Sequence, residues 1–172
     1  MNEQRLHLDV RIGHVHLRVA DLERATAFYR DYIGLDVVAY GPDFDLPGAA
    51  FLSAGGYHHH VGLNTWSSEG GGSPPEGHTG LHHVAFLYPG RRELARAVER
   101  LIDHDYPVEG AEDHGATVSV YLSDPDGNGI ELYYDRPRED WFDSRGIPIL
   151  KAEPFDPREL LAELSQTERP RG

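Results

Sequence analysis

A fixed offset of 69 residues relates the two halves of this chain. It carries Ile12 onto Leu81, His14 onto His83, Val15 onto Val84 and Leu17 onto Phe86. Without a gap it then carries Ile33 onto Ile102, Gly41 onto Gly110, Phe51 onto Val120, Val61 onto Ile130 and Leu63 onto Leu132. One register, kept from the first strand signal of each half to the last, identifies a duplicated module. A repeat restricts the possible folds more than any local propensity does.

Each half has the same internal order. Residues 12–19 (IGHVHLRV) alternate apolar and polar positions, as a half-buried strand does. Asp21 stands at an N-cap, and residues 22–33 place Leu22, Ala25, Phe28, Tyr29, Tyr32 and Ile33 on one helical face before Gly34 stops the helix. Strand-like runs follow at 36–41, 48–54 and 59–66. The second half repeats the pattern, with a strand at 80–88, a helix at 91–104, and strands near 107–111, 117–123 and 129–134. The prediction is an α+β fold of two tandem βαβββ modules spanning 10–136. Module one covers 10–66, a Gly/Ser/Pro-rich linker 67–79, and module two 80–136. The tail, 137–172, is rich in proline and charge. It carries a short helix at 157–164 that Asp156 caps, and it is expected to wrap the surface or cover a subunit contact.

Composition removes several function classes. A formal net charge of −13 disfavours a nucleic-acid partner, which needs a basic face. No run approaches the roughly 20 apolar residues of a membrane span, and the N-terminal residues have no apolar signal core, so a cytoplasmic protein is expected. The absence of cysteine removes thiolate chemistry and cysteine-based metal sites. The 11 histidines are the unusual feature, and their positions decide what they mean.

Duplication singles out some of them. His14 and His83 are repeat partners on the first strand of each module, and the repeat partner of Glu131 is Gly62. Two neutral imidazoles and one carboxylate around a divalent ion leave coordination positions open, the arrangement associated with non-haem Fe(II) and dioxygen. His14, His83 and Glu131 are the candidate metal ligands, with Fe(II) expected and Mn(II) as the alternative. His16 and His82 are read as solvated or hydrogen-bonded neighbours, and His7, His78 and His104 as surface residues.

GHVHLRV, LHHVAF and DPDGNGIELYYD together resemble the vicinal oxygen chelate superfamily of glyoxalases, bleomycin-resistance proteins and extradiol dioxygenases. The resemblance covers about residues 10–136. It implies an open, cupped mixed sheet around a metal. The series His114, Tyr121, Asp124-Pro125, Gly127 and Glu131 is similar to the spaced signature of the extradiol branch, with Glu112 standing where that branch prefers a smaller or apolar residue. Residues 55–66 and 113–139 look most like catechol-2,3-dioxygenase-like members. By this resemblance, an acid–base histidine falls on His59 of the run His58-His59-His60, with either neighbour as the alternative. His114 and Tyr121 would hydrogen-bond the substrate oxygens. The implied partners are a small catecholic substrate, dioxygen and a second copy in a homodimer.

The alternatives within the resemblance are a glyoxalase-like isomerase, a thiol transferase, or a metal-free protein that sequesters an antibiotic. Isomerases and epimerases of the group present a fourth ligand where this chain has Gly62.

Overall fold

The computed structural model describes residues 7–75 and 77–165. The chain divides into two compact units, the first running to Arg30 and resuming over Leu35–Gly71, the second comprising Asp31–Gly34 and the chain from Gly72 onward. Each unit is built on one mixed sheet, so the α+β class and the βαβββ order are those read from the sequence.

The first sheet holds β1 (Val15–Arg18), β2 (Asp36–Tyr40), β3 (Ala49–Ser53) and β4 (Val61–Asn64) in the order β1-β4-β3-β2. Alternation gives it two unlike faces. Leu17, Val19, Ala50, Leu52, Val61 and Leu63 are buried, with Ala25 and Phe28 of helix α1 (Leu22–Phe28) buried as well. His16 and Gly62, paired across β1 and β4, belong to the opposite face. The expected N-cap holds, because the Asp21 carboxylate accepts from the Arg24 N–H at 2.9 Å. The expected helix of 22–33 is α-helical only to Phe28 and continues as a wider π turn over Tyr29–Ile33. There the Ile33 carbonyl, left without an intrahelical donor at the helix end, accepts from Tyr88 Oη at 3.2 Å and from Arg100 Nη2 at 3.1 Å.

The second sheet runs β5-β8-β7-β6-β9. Its strands are β5 (His83–Tyr88), β6 (Gly110–Gly115), β7 (Thr117–Ser123), β8 (Gly129–Asp135) and β9 (Leu150–Pro154). Helix α2 (Arg91–Asp103) buries Leu94, Ala95, Val98 and Leu101, and Val118, Val120, Leu122, Ile130 and Leu132 supply the apolar face of this sheet. The strand expected near 107–111 lies at Gly110–Gly115 instead. Pro107 has no N–H to donate, and Tyr106 N still donates to Leu101 O at 2.8 Å, so sheet pairing starts only where Glu109 N meets Tyr121 O.

The tail is more ordered than its composition suggests. β9 adds to the β6 edge, and a 3-10 helix over Pro157–Glu163 follows, with Asp156 Oδ1 accepting from Arg158 N at 2.9 Å. Leu160 of that turn is fully buried, and Arg91 Nε donates to Glu163 Oε1 at 2.9 Å. The predicted short helix and its cap are present, the helix in the tighter 3-10 form. Among the described residues no helix is long and apolar enough to cross a membrane.

The 69-residue offset reproduces the parallel pairs, since Val15↔Val61 and His16↔Gly62 map onto Val84↔Ile130 and Ala85↔Glu131. It fails in the middle strands. Phe51 pairs with Gly62, whereas Tyr121 pairs with Glu131, so the counterpart of Phe51 is Tyr121 and not Val120. The connection from β7 to β8 is shorter than that from β3 to β4, and a loop absorbs an inserted residue without disturbing either core.

Candidate metal and catalytic site

Two adjacent parallel strands build the centre of the second unit. Ala85 on β5 pairs with Glu131 on β8, and His83 lies two residues before Ala85, on the same face. The small Ala85 side chain leaves Glu131 free to reach His83, with Nε2 3.0 Å from Oε2. The Glu131 side chain is only 13% exposed, and His83 Nδ1 is buried with no hydrogen-bond partner.

The next strand extends the set. Tyr121 on β7 is directly opposite Glu131, and its phenol oxygen lies 3.1 Å from Glu131 Oε1 and 2.7 Å from His114 Nε2. Burial, and after it the charge of Glu131, pushes the Tyr121 phenol up to about 12, so it keeps its proton at neutral pH. Glu112 Oε2 stands 3.7 Å from the same His114 nitrogen. The residue that departs from the extradiol signature thus faces the histidine of that signature.

In the first unit His14 lies immediately before β1, its ring centroid 4.5 Å from that of His59. His58 and His59 approach through their Nδ1 atoms at 2.8 Å, while His60 turns to Ser53 Oγ at 2.9 Å. His59 is therefore the member of the run that contacts both His14 and Phe51. Partial burial, and after it the neighbouring imidazoles of His14 and His58, holds His59 below the usual histidine range.

His16, expected as a solvated neighbour of the ligands, is exposed and also has a packing role. Its ring covers Gly62, where a β-carbon would meet His16 Nδ1 at 2.9 Å, and it also neighbours Phe51 and Trp66. The repeat position opposite Glu131 is therefore filled by a ring from the adjacent strand. The two-residue spacing from His14 to His16 carried the signal, since it keeps both on one face. Sequence reasoning missed two further contacts around His114, one with Glu112 and one with the tail. Among the described residues no three His, Asp or Glu side chains are gathered as a ligand group. His83 and Glu131 form a pair in the second unit, and His14 belongs to the first.

The family profile of the Glyoxalase/Bleomycin resistance protein/Dioxygenase superfamily matches residues 11–132. The chain belongs to this superfamily. It is 38% identical over 159 residues to a catechol-2,3-dioxygenase of Bacillus subtilis (strain 168), covering 92% of this chain and 53% of the relative. It is 34% identical over 127 residues to biphenyl-2,3-diol 1,2-dioxygenase 3 of Rhodococcus globerulus, covering 73% of this chain and 63% of the relative. The chain thus spans about half to two thirds of the length of these curated relatives. Among solved structures, lactoylglutathione lyase from Agrobacterium tumefaciens is similar at 27% identity and a TM-score of 0.57, covering 74% of this chain and 96% of that one.

His83 and Glu131 present a donor pair that fits a divalent metal ion. Two donors about 2.1 Å from one ion and subtending a right angle lie about 3.0 Å apart, the spacing of His83 Nε2 and Glu131 Oε2. Imidazole nitrogen and carboxylate oxygen together suit a divalent transition metal.

Proposed function

We propose that this chain is a metal-dependent extradiol dioxygenase, opening the ring of a small catecholic substrate with dioxygen. The observation that carries the proposal is the hydrogen-bonded series from His83 through Glu131 and Tyr121 to His114, which sets two metal-ligand types beside two proton-handling groups. Identity to a catechol-2,3-dioxygenase supports the same reading.

The proposed ligands are His14, His83 and Glu131, with Fe(II) the metal and Mn(II) its substitute. When bound, such an ion supplies Lewis acidity toward the catechol oxygens and electron transfer toward dioxygen. Both oxygen atoms enter the product as the ring carbon–carbon bond beside the diol breaks, so no reductant is consumed. Tyr121 binds a catechol oxygen through its phenol, and His114 behind it fixes the direction of that group. His59 takes a hydroxyl proton at Nε2, the ring nitrogen left over by its Nδ1 contact with His58. The enzyme is proposed to act as a cytoplasmic homodimer.

The test is anaerobic loading with Fe(II) or Mn(II), then oxygen uptake and absorbance of the ring-opened product across a catechol panel. One arm supplies the hemithioacetal of methylglyoxal and glutathione, because a lactoylglutathione lyase is among the structural relatives. Stoichiometric oxygen consumption with a catechol is expected. A folded, metal-replete protein that consumes none, or that isomerises the hemithioacetal, overturns the proposal.

A further inference from the structure

We propose that the C-terminal strand β9, beyond the residues matched by the family profile, is a positioning element for His114, acting through the backbone carbonyl of Lys151. The inference rests on the catalytic reading of His114 and Tyr121 given above.

The Lys151 carbonyl oxygen lies 2.6 Å from His114 Nδ1. A carbonyl only accepts, so this contact requires the proton to be on Nδ1. In the neutral ring, Nε2 then presents a lone pair 2.7 Å from the Tyr121 phenol and competes with Glu131 Oε1 for its single proton. The opposite tautomer would put a proton on Nε2 and turn the phenol proton toward Glu131 Oε1, 3.1 Å from the phenol oxygen. The tail therefore decides whether His114 competes with Glu131 for the Tyr121 proton.

The local backbone is shaped for this contact. β9 pairs with β6 through Glu112↔Pro154, Asp113↔Glu153 and Gly115↔Leu150, with a register irregularity between Asp113 and Gly115 that brackets His114. Two residues of β9, Lys151 and Ala152, oppose the single residue His114, so the bulge lies on β9 and bends the backbone that carries the carbonyl. Gly115 has φ +83°, and a β-carbon on it would collide with Ile149 Cγ2, so the tail closes against a position that favours glycine. Phe155 N donates to Ala111 O at 3.1 Å, and the fully buried Leu160 anchors the segment that follows. The carbonyl is thus held from both sides of the contact.

The test reads the tautomer directly, by long-range ¹H–¹⁵N correlation of the His114 ring in metal-free, full-length protein at about pH 8, above the ordinary histidine range. A protonated Nδ1 is expected. An unprotonated Nδ1 overturns the proposal without any variant. Leu150→Pro then disturbs β9 at an exposed side chain, 83% accessible, and leaves the core intact. It is expected to release His114 to a mixture of tautomers, and retention of the Nδ1 proton while β9 amides lose exchange protection counts against the tail. Neither reading needs metal or turnover, so both stand if the catechol assay fails. If that assay succeeds, Leu150→Pro lowers kcat at least tenfold in the native background and adds less than twofold to His114→Phe. Multiplicative losses would identify β9 as a purely structural support.

Discussion

The imidazole of His16 lies over Gly62, its Nδ1 2.9 Å from the point that a β-carbon on the glycine would occupy. At the equivalent pair of the second sheet the sizes are exchanged, with small Ala85 on β5 beside large Glu131 on β8. A side chain at Gly62 must therefore displace a ring. Gly62→Glu alone is expected to lower stability by about 1–3 kcal/mol, the usual cost of overpacking. Adding His16→Ala recreates the Ala85 and Glu131 pairing and recovers at least half of the loss. Urea denaturation of both single variants and the double measures the coupling, and strictly additive effects would show that the ring does not limit this position.

Removing a proposed metal ligand leaves an ion with too few partners. His83→Ala, Glu131→Ala and His14→Ala are each expected to reduce bound metal by about tenfold or more after identical loading, in the range seen when a metal's supporting groups are removed. His82→Ala keeps its metal, because that side chain is exposed beside His83 and does not share its pairing with Glu131. Elemental analysis of the purified variants checks this. Undiminished metal in His14→Ala would remove that residue from the ligand set.

Tyr121→Phe keeps the ring and deletes the donor. A hydrogen bond to a charged group contributes about 1.5–3 kcal/mol, so turnover is expected to fall by about 10- to 100-fold with metal content unchanged. Burial pushes both Tyr121 and Tyr88 up to about 12, so tyrosinate absorbance from these two rises late in an alkaline titration. Tyr121→Phe should remove part of that late rise. Because these phenols ionise at higher pH folded than unfolded, their contribution to stability is complete below pH 10.0 and is lost as pH climbs toward about 12.

Asp113 precedes His114 and shapes its turn by accepting from Gly115 N at 2.8 Å and pairing with Arg136. Burial opposes its charge, but the Gly115 N–H and the Arg136 guanidinium outweigh that and hold the carboxyl below the usual range. A folded value below the unfolded one stabilises the protein above the ordinary carboxylate range, and the benefit disappears as pH falls through the depressed folded value. Asp113→Asn is expected to cost about 1–2 kcal/mol at neutral pH, and the difference from the native chain should vanish in acid. Urea midpoints at both pH values check it, and an equal gap at each would exclude the charge as the cause.

Periodicity carried much of this protein. Alternation set which residues of each strand meet the apolar core, and the repeat matched the two modules and singled out His14, His83 and Glu131. These features were legible because a side chain's face depends only on its parity along the strand. Tertiary structure decided what parity leaves open. The pairing of Phe51 with Gly62 and of Tyr121 with Glu131 depends on loop length, which an offset averaged over whole modules does not resolve. The ring of His16 over Gly62 depends on which of two neighbouring strands supplies the bulk for one gap. β9 is hidden for a different reason. Its residues Leu150–Pro154 are all exposed and show no alternation, so nothing in the side chains marks a strand. Only the backbone groups of the β6 edge recruit it, and backbone hydrogen bonding leaves no trace in the order of side chains.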